Sequence, residues 1–186
     1  APQLPFEFVA FAGNVALYIQ ELEDLVEKMR KETQIQNAQL DEDIFELALD
    51  PTKSLKAPKR QAEVPHLNFA PLKNSLAQLQ ITAEKYNQTI GNSTLSAKDQ
   101  TSVNQMLYMT ERKLTRPHGL PGRSWYKHHI YAPGFYTGYG VKTIPGVREA
   151  IEIREFDEAG KQVTIAAEVL DSLTRQIKAI LTITAS

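Results

Sequence analysis

The sequence predicts an all-α fold: a four-helix bundle with long loops and one or two extra short helices. Three observations point to it. Apolar residues recur at alternating spacings of three and four over long stretches. Helix-ending prolines and glycines separate those stretches. No segment alternates apolar and polar residues as a half-buried strand would.

The first helix is expected from about Phe6 to Glu32. Phe8, Phe11, Val15, Tyr18, Leu22, Leu25 and Met29 form its seam, widened by Ala12, Ile19 and Val26. Glu21, Asp24, Glu27, Lys28 and Lys31 mark the opposite, solvated face. Pro5 suits the first turn, where a missing N–H costs nothing. Asp41 to Leu49 reads as a short helix ended by Pro51. The stretch from Pro51 to Pro65 carries three prolines with Lys53, Lys56, Lys59 and Arg60. It reads as an exposed connection and not as a nucleic-acid patch, because it has no aromatic residue to stack on a base.

The second long helix is expected from about Phe69 to Ile90, with Phe69, Leu72, Leu76, Leu79, Ala83, Tyr86 and Ile90 as its seam and Gly91 as its stop. Ser96 then reads as the N-cap of a third helix, with Asp99 completing a weak capping box. Val103, Met106, Leu107, Thr110 and Leu114 form its inner face, and Pro117 and Gly119 prevent it from continuing. Pro145-Gly146 opens a short helix to about Phe156, with Val147 and Ile151 inward. Gly160 is expected to break it. The last helix is expected from about Lys161 to Thr182. Its seam is Val163, Ala166, Leu170, Leu173, Ile177, Ile180 and Thr184. Ile165, Val169 and Leu181 lie off that seam and predict an apolar strip offered to a second copy of the chain.

The 186 residues suit a single domain, 1–186, with a real core. A net charge of −1 provides no global field to recruit nucleic acid or an anionic membrane. There is no cysteine, so disulfides contribute nothing. No run of about 18 apolar residues is present to span a bilayer. The chain starts without a signal-peptide pattern and reads as part of a longer protein.

Chemistry-bearing patterns are sparse. His128 and His129 are adjacent, while His66 and His118 are isolated, and a zinc site needs three or four convergent ligands. Ser124 has no nucleophile-elbow context. Glu152 and Glu155 read as a solvated face. No catalytic and no metal-ligating residue is therefore assigned. The aromatic-rich stretch with Arg123, Trp125, Tyr126, Tyr131, Phe135, Tyr136 and Tyr139 has two readings. It caps the bundle with buried rings, or it forms a contact surface, since Tyr, Trp and Arg are common interface anchors. Asn87-Gln88-Thr89 and Asn92-Ser93-Thr94 are glycosylation sequons and favour a luminal or extracellular location.

The run Gly119-Leu120-Pro121-Gly122-Arg123-Ser124-Trp125-Tyr126-Lys127-His128-His129-Ile130-Tyr131-Ala132-Pro133 is followed by Ile144-Pro145-Gly146-Val147. Together with the opening Leu4-Pro5-Phe6-Glu7, it resembles the C-terminal helical domain of the transferrin-receptor and glutamate-carboxypeptidase II family. The resemblance implies a non-catalytic homodimerisation domain. Its partners are a second copy and a peptidase-like domain, with no nucleic acid and no membrane contact by this segment. Zinc and the catalytic glutamate are implied only in that other domain, so this chain needs no cofactor. The resemblance also implies a type II membrane glycoprotein, with this part on the luminal or extracellular side of a secretory-pathway, vacuolar or plasma membrane. In the family a Lys-Tyr pair lines the pocket for a glutamate-like C-terminal side chain. The Tyr corresponds to Tyr139 and the Lys to Gly138, which implies a pocket lacking one cation. Two other readings stay open: a free-standing helical adaptor, or an essential part of a zinc carboxypeptidase active site.

Overall fold

A computed structural model describes residues 4–42, 58–91, 94–135 and 140–184. The chain is mostly helical, as the periodicity predicts. Helix α1 spans Phe8–Asp41, α2 Ala70–Ile90, α3 Ala97–Tyr108, α4 Pro145–Glu152 and α5 Phe156–Thr184. A 3₁₀ turn, Thr110–Leu114, follows α3. The core is one continuous apolar cluster. Helix α5 is its centre and packs on α2, on α4 and on the 3₁₀ turn, with α2 also covered by α1. Helices α1 and α2 run antiparallel. Phe8 meets Tyr86 edge-on at one end, ring centroids 4.9 Å apart, and Lys73 binds Glu23 at 3.0 Å further along.

Four expectations change. Helix α1 does not stop near Glu32 but runs on to Asp41. Its inward positions there are polar: Thr33 and Asn37 are buried. Asn37 donates to the Gln61 carbonyl at 2.9 Å and accepts from the Gln61 amide at 3.1 Å. The seam continues at helical spacing but is stitched by hydrogen bonds, which a search for apolar residues does not see. Asp41 is thus the end of α1 and not the start of a new helix; the rest of the expected 41–49 helix lies outside the described residues.

Gly160 does not break a helix; it lies inside α5. The break is at Arg154, with φ 65°. The Glu155 amide bonds to the Ala150 carbonyl at 2.8 Å and the Arg154 amide to the Ile151 carbonyl at 2.9 Å. That paired pattern is the C-terminal motif in which glycine usually takes the left-handed position. Here an arginine takes it, held by bonds from its guanidinium to Thr33 Oγ1 at 3.1 Å and Gln61 Oε1 at 2.8 Å and to the Ala62 carbonyl.

The third helix is short, because α3 tightens into the 3₁₀ turn after Tyr108. Ser96 caps it as expected, accepting from the Asp99 amide at 3.2 Å. Finally, strands do occur. Tyr131–Pro133 (β1) and Val141–Thr143 (β2) pair antiparallel, with Tyr131 opposite Thr143 and Pro133 opposite Val141. Three residues are too few to display a period of two.

Candidate functional site: the aromatic loop and its arginine anchor

Between the 3₁₀ turn and α4 the chain leaves the bundle and returns. The excursion is folded by backbone bonds. The Arg116 amide reaches the Lys127 carbonyl and the Leu120 amide the Tyr126 carbonyl, each at 2.9 Å. The turn between them depends on Gly119, at φ +66°. A Cβ there would fall 2.3 Å from the Ser124 carbonyl oxygen. Ile130 returns the chain to the core and accepts from the Ile144 amide at 2.7 Å.

Arg123 anchors this excursion. Its side chain is 3% exposed and that of its partner Glu149 12%. Nη2 donates to both carboxylate oxygens of Glu149, at 2.7 and 2.8 Å, and Nη1 donates to the Pro133 carbonyl. The same carboxylate accepts from the Phe135 amide at 2.8 Å. The guanidinium also lies 5.2 Å from the ring centre of Tyr126 and 5.7 Å from that of Phe135, within cation–π range. A fork this geometry-specific suits arginine and not lysine.

The two adjacent histidines diverge. His128 Nδ1 accepts from the amides of Ile130 and Tyr131, both at 3.2 Å. Its Nε2 therefore carries the hydrogen and donates to Glu111 at 3.1 Å. Burial lowers its pKa, against the raising effect of Glu111. His129 is buried, and burial, aided by the charges of Arg116 and His128, lowers its pKa to about 4. Among the described residues no group of three or more His, Cys, Asp or Glu side chains converges to hold a metal.

The predicted contact residues separate into two groups. Trp125 is 70% exposed, and Tyr131 and Phe135 are exposed as well. Tyr126 is half-buried beside Arg123. Arg123 itself is an internal anchor and not a surface contact. The apolar strip on the last helix is corrected too. Val169 is fully buried, Leu181 nearly so and Ile165 half-buried, all within one chain. The wide apolar face of α5 is wide because the helix is central, with neighbours on more than one side. Asn87 is exposed on the last turn of α2. Asn92, Tyr136, Gly138 and Tyr139 lie outside the described residues.

Sequence reasoning missed Glu149 and Glu111. Glu149 pairs with an arginine 26 positions earlier, and no local spacing announces such a pair. It also missed the apolar residues facing outward on the helices. Leu17 and Ile81 are 63% and 64% exposed. Val9 and Gly13 share a shallow depression with Gln80 and Glu84.

The described residues thus form a helical bundle that carries an arginine-anchored aromatic loop. Residues 67–178 match the transferrin receptor-like dimerisation domain family, and the chain belongs to it. Three curated relatives are described as probable glutamate carboxypeptidases. The one from Arabidopsis thaliana is 52% identical over 50 residues, covering 27% of this chain and 7% of that protein. The one from Arthroderma benhamiae is 38% identical over 61 residues, 29% of this chain and 8% of that protein. The Zea mays relative is 32% identical over 66 residues, 36% of this chain and 9% of that protein. The aligned part of the chain thus spans less than a tenth of the length of each.

Proposed function

We propose that this chain is the non-catalytic dimerisation domain of a longer, glutamate-carboxypeptidase-like protein. It self-associates through the outward face of α1 and α2 and meets the peptidase-like part with its aromatic loop. The observation that carries the reading is the exposure of Leu17 and Ile81 in a chain of the dimerisation-domain family. Leu17 lies one turn along α1 from Gly13, beside the depression that α1 shares with α2, and Ile81 lines the next groove, between α2 and α5, with Gln78, Lys85 and Lys178. Two copies related by a two-fold axis would cover each other's apolar side chains there.

In this reading zinc and its chemistry belong to the rest of the protein. Exposed Asn87 supports glycosylation on the luminal or extracellular side of a membrane. No described helix is long and apolar enough to cross one. With Gly138 where the family has Lys, the pocket favours a neutral or apolar C-terminal side chain over glutamate.

Sedimentation equilibrium of the chain tests the self-association. The chain is expected to be a dimer at tens of micromolar, a typical range for a moderate interface. The double substitution Leu17→Asp, Ile81→Asp is expected to give monomers with an unchanged helical spectrum, while Trp125→Ala leaves the dimer intact. A monomeric parent chain, or a dimer indifferent to both aspartates, sinks this assignment.

A further inference from the structure

We propose that Arg123 and Glu149 form a positioning couple that sets Phe135 as the contact edge this module presents to the peptidase-like part of the longer protein. The proposal rests on the docking role given to the aromatic loop above.

The couple joins three separate pieces of chain through one pair of charges. Arg123 belongs to the turn closed at Gly119. Pro133, whose carbonyl accepts from Nη1, is the last residue of β1. Phe135, whose amide donates to Glu149 Oε1, lies just beyond it. Glu149 is on α4, anchored in the bundle through its buried neighbours Ala150 and Ile151. Arg123 Cζ lies over the Phe135 ring, 5.7 Å from its centre, and that ring also covers Gly122, whose missing Cβ would sit 3.7 Å from it. Phe135 is thus held at its backbone by a carboxylate and at its ring by a cation, while close to half of its surface stays in water. The Gly134 amide closes the base of the same loop on the Gly140 carbonyl at 2.7 Å.

Stability alone does not account for this investment of charge. Burying an ion pair costs desolvation, and an apolar pair of similar volume commonly holds a fold equally well. What an apolar pair cannot do is bond the Pro133 carbonyl and the Phe135 amide. The couple therefore does something that matters beyond the core: it fixes the direction in which an aromatic side chain leaves the surface. Aromatic residues held rigid before contact lose little freedom on docking.

The experiment uses the full-length protein and the double substitution Arg123→Met, Glu149→Leu, which removes both charges together and leaves none unpaired. Hydrogen–deuterium exchange and the thermal midpoint are measured side by side. The expected result is a thermal midpoint close to the parent's. Exchange at the Phe135 amide should be faster by about tenfold or more, the equivalent of one lost hydrogen bond. Faster exchange is also expected in a segment outside residues 1–186, where the loop docks. Arg123→Lys, which keeps Glu149 as acceptor for the Phe135 amide but loses the guanidinium's hold on Pro133 and the ring, should show the faster exchange outside residues 1–186 with a smaller change at the Phe135 amide. Unchanged exchange at Phe135 overturns the positioning role. Faster exchange there with no change outside residues 1–186 reduces the couple to an internal brace and overturns the contact edge. Peptidase activity is assayed separately. Its absence in the parent protein would refute the carboxypeptidase reading and leave the exchange result to decide the couple.

Discussion

The bundle and the loop excursion are held together by different physics. In the bundle, α2 and α5 meet through side chains that are apolar and fully buried, such as Leu72, Leu79, Leu170 and Ile177. Each contributes by leaving water, and the contribution depends on area more than on direction. In the excursion between Thr115 and Ile144, direction is everything. Arg123 must meet Glu149 and Pro133, His128 must meet Glu111, and Gly119 must take a left-handed turn. The lesson is that the bundle makes the domain stable while the excursion makes it specific. Substitutions in the two regions should therefore fail differently.

The sharpest contrast is in stability. Leu170 is fully buried at the centre of α5. Leu170→Ala is expected to cost about 3–4 kcal/mol through lost transfer energy and a residual cavity. Trp125→Ala, at an exposed position of the excursion, is expected to stay within about 0.5 kcal/mol. Urea unfolding of the chain followed by circular dichroism measures both. Equal costs would erase the division between the two regions.

The excursion has its own weak point, where backbone and not area is at stake. A methyl group at Gly119 would meet the carbonyl oxygens of Ser124 and Tyr126 at 2.3 and 2.6 Å, with φ at +66°. The Tyr126 carbonyl cannot move without breaking the turn, since it accepts from the Leu120 amide. Gly119→Ala is expected to cost about 2–3 kcal/mol. Rapid exchange of the amides of Leu120 and Arg123 would locate the damage in the turn. A stable variant with those amides still protected would show that the turn can relax.

The same division explains what could be read in advance. The seams of α2 and α5, the Ser96 cap and the mostly helical class follow from local spacing, and the structure has them. The errors concern groups whose partners are remote. Thr33 and Asn37 extend α1 only because Gln61 and Arg154 come back to meet them. Arg154 adopts a glycine-like conformation because Thr33, Gln61 and Ala62 hold its side chain. The buried fate of Val169 and Leu181 depends on how many neighbours α5 has, a property of the whole fold. In the candidate site, Trp125, Tyr131 and Phe135 could be singled out by composition. The partner that orders them, Glu149, could not.

Acid should strain the excursion before the bundle. His129 stays neutral in the folded chain down to about pH 4, through burial first and the charges of Arg116 and His128 second. In the unfolded chain it takes up a proton near its ordinary value of 6.5. Between those values the unfolded state binds more protons, so stability is present above about pH 6.5 and is lost as pH falls towards 4. His128, lowered by burial, tilts the curve the same way. The urea midpoint of the chain should fall across this window, and less steeply in His129→Gln. Identical slopes would remove His129 from the account.

The smallest effect has the opposite sign and lies at Gly160, which local sequence marks as a helix stop. In the structure it sits within α5, nearly three turns before the fully buried Leu170. A Cβ added there would meet nothing closer than Leu67 Cδ1 at 3.9 Å, an ordinary contact. Its backbone is helical, and glycine in that state spends more conformational entropy than alanine. Gly160→Ala should therefore stabilise the chain by about 0.5–1 kcal/mol. Gly119→Ala makes the identical chemical change and should do the reverse, because its methyl group meets backbone in a left-handed turn. Urea midpoints moving in opposite directions for the two alanines would support helix-interior placement for Gly160. A loss of stability at Gly160 would restore the break there and shorten α5 at its N-terminal end.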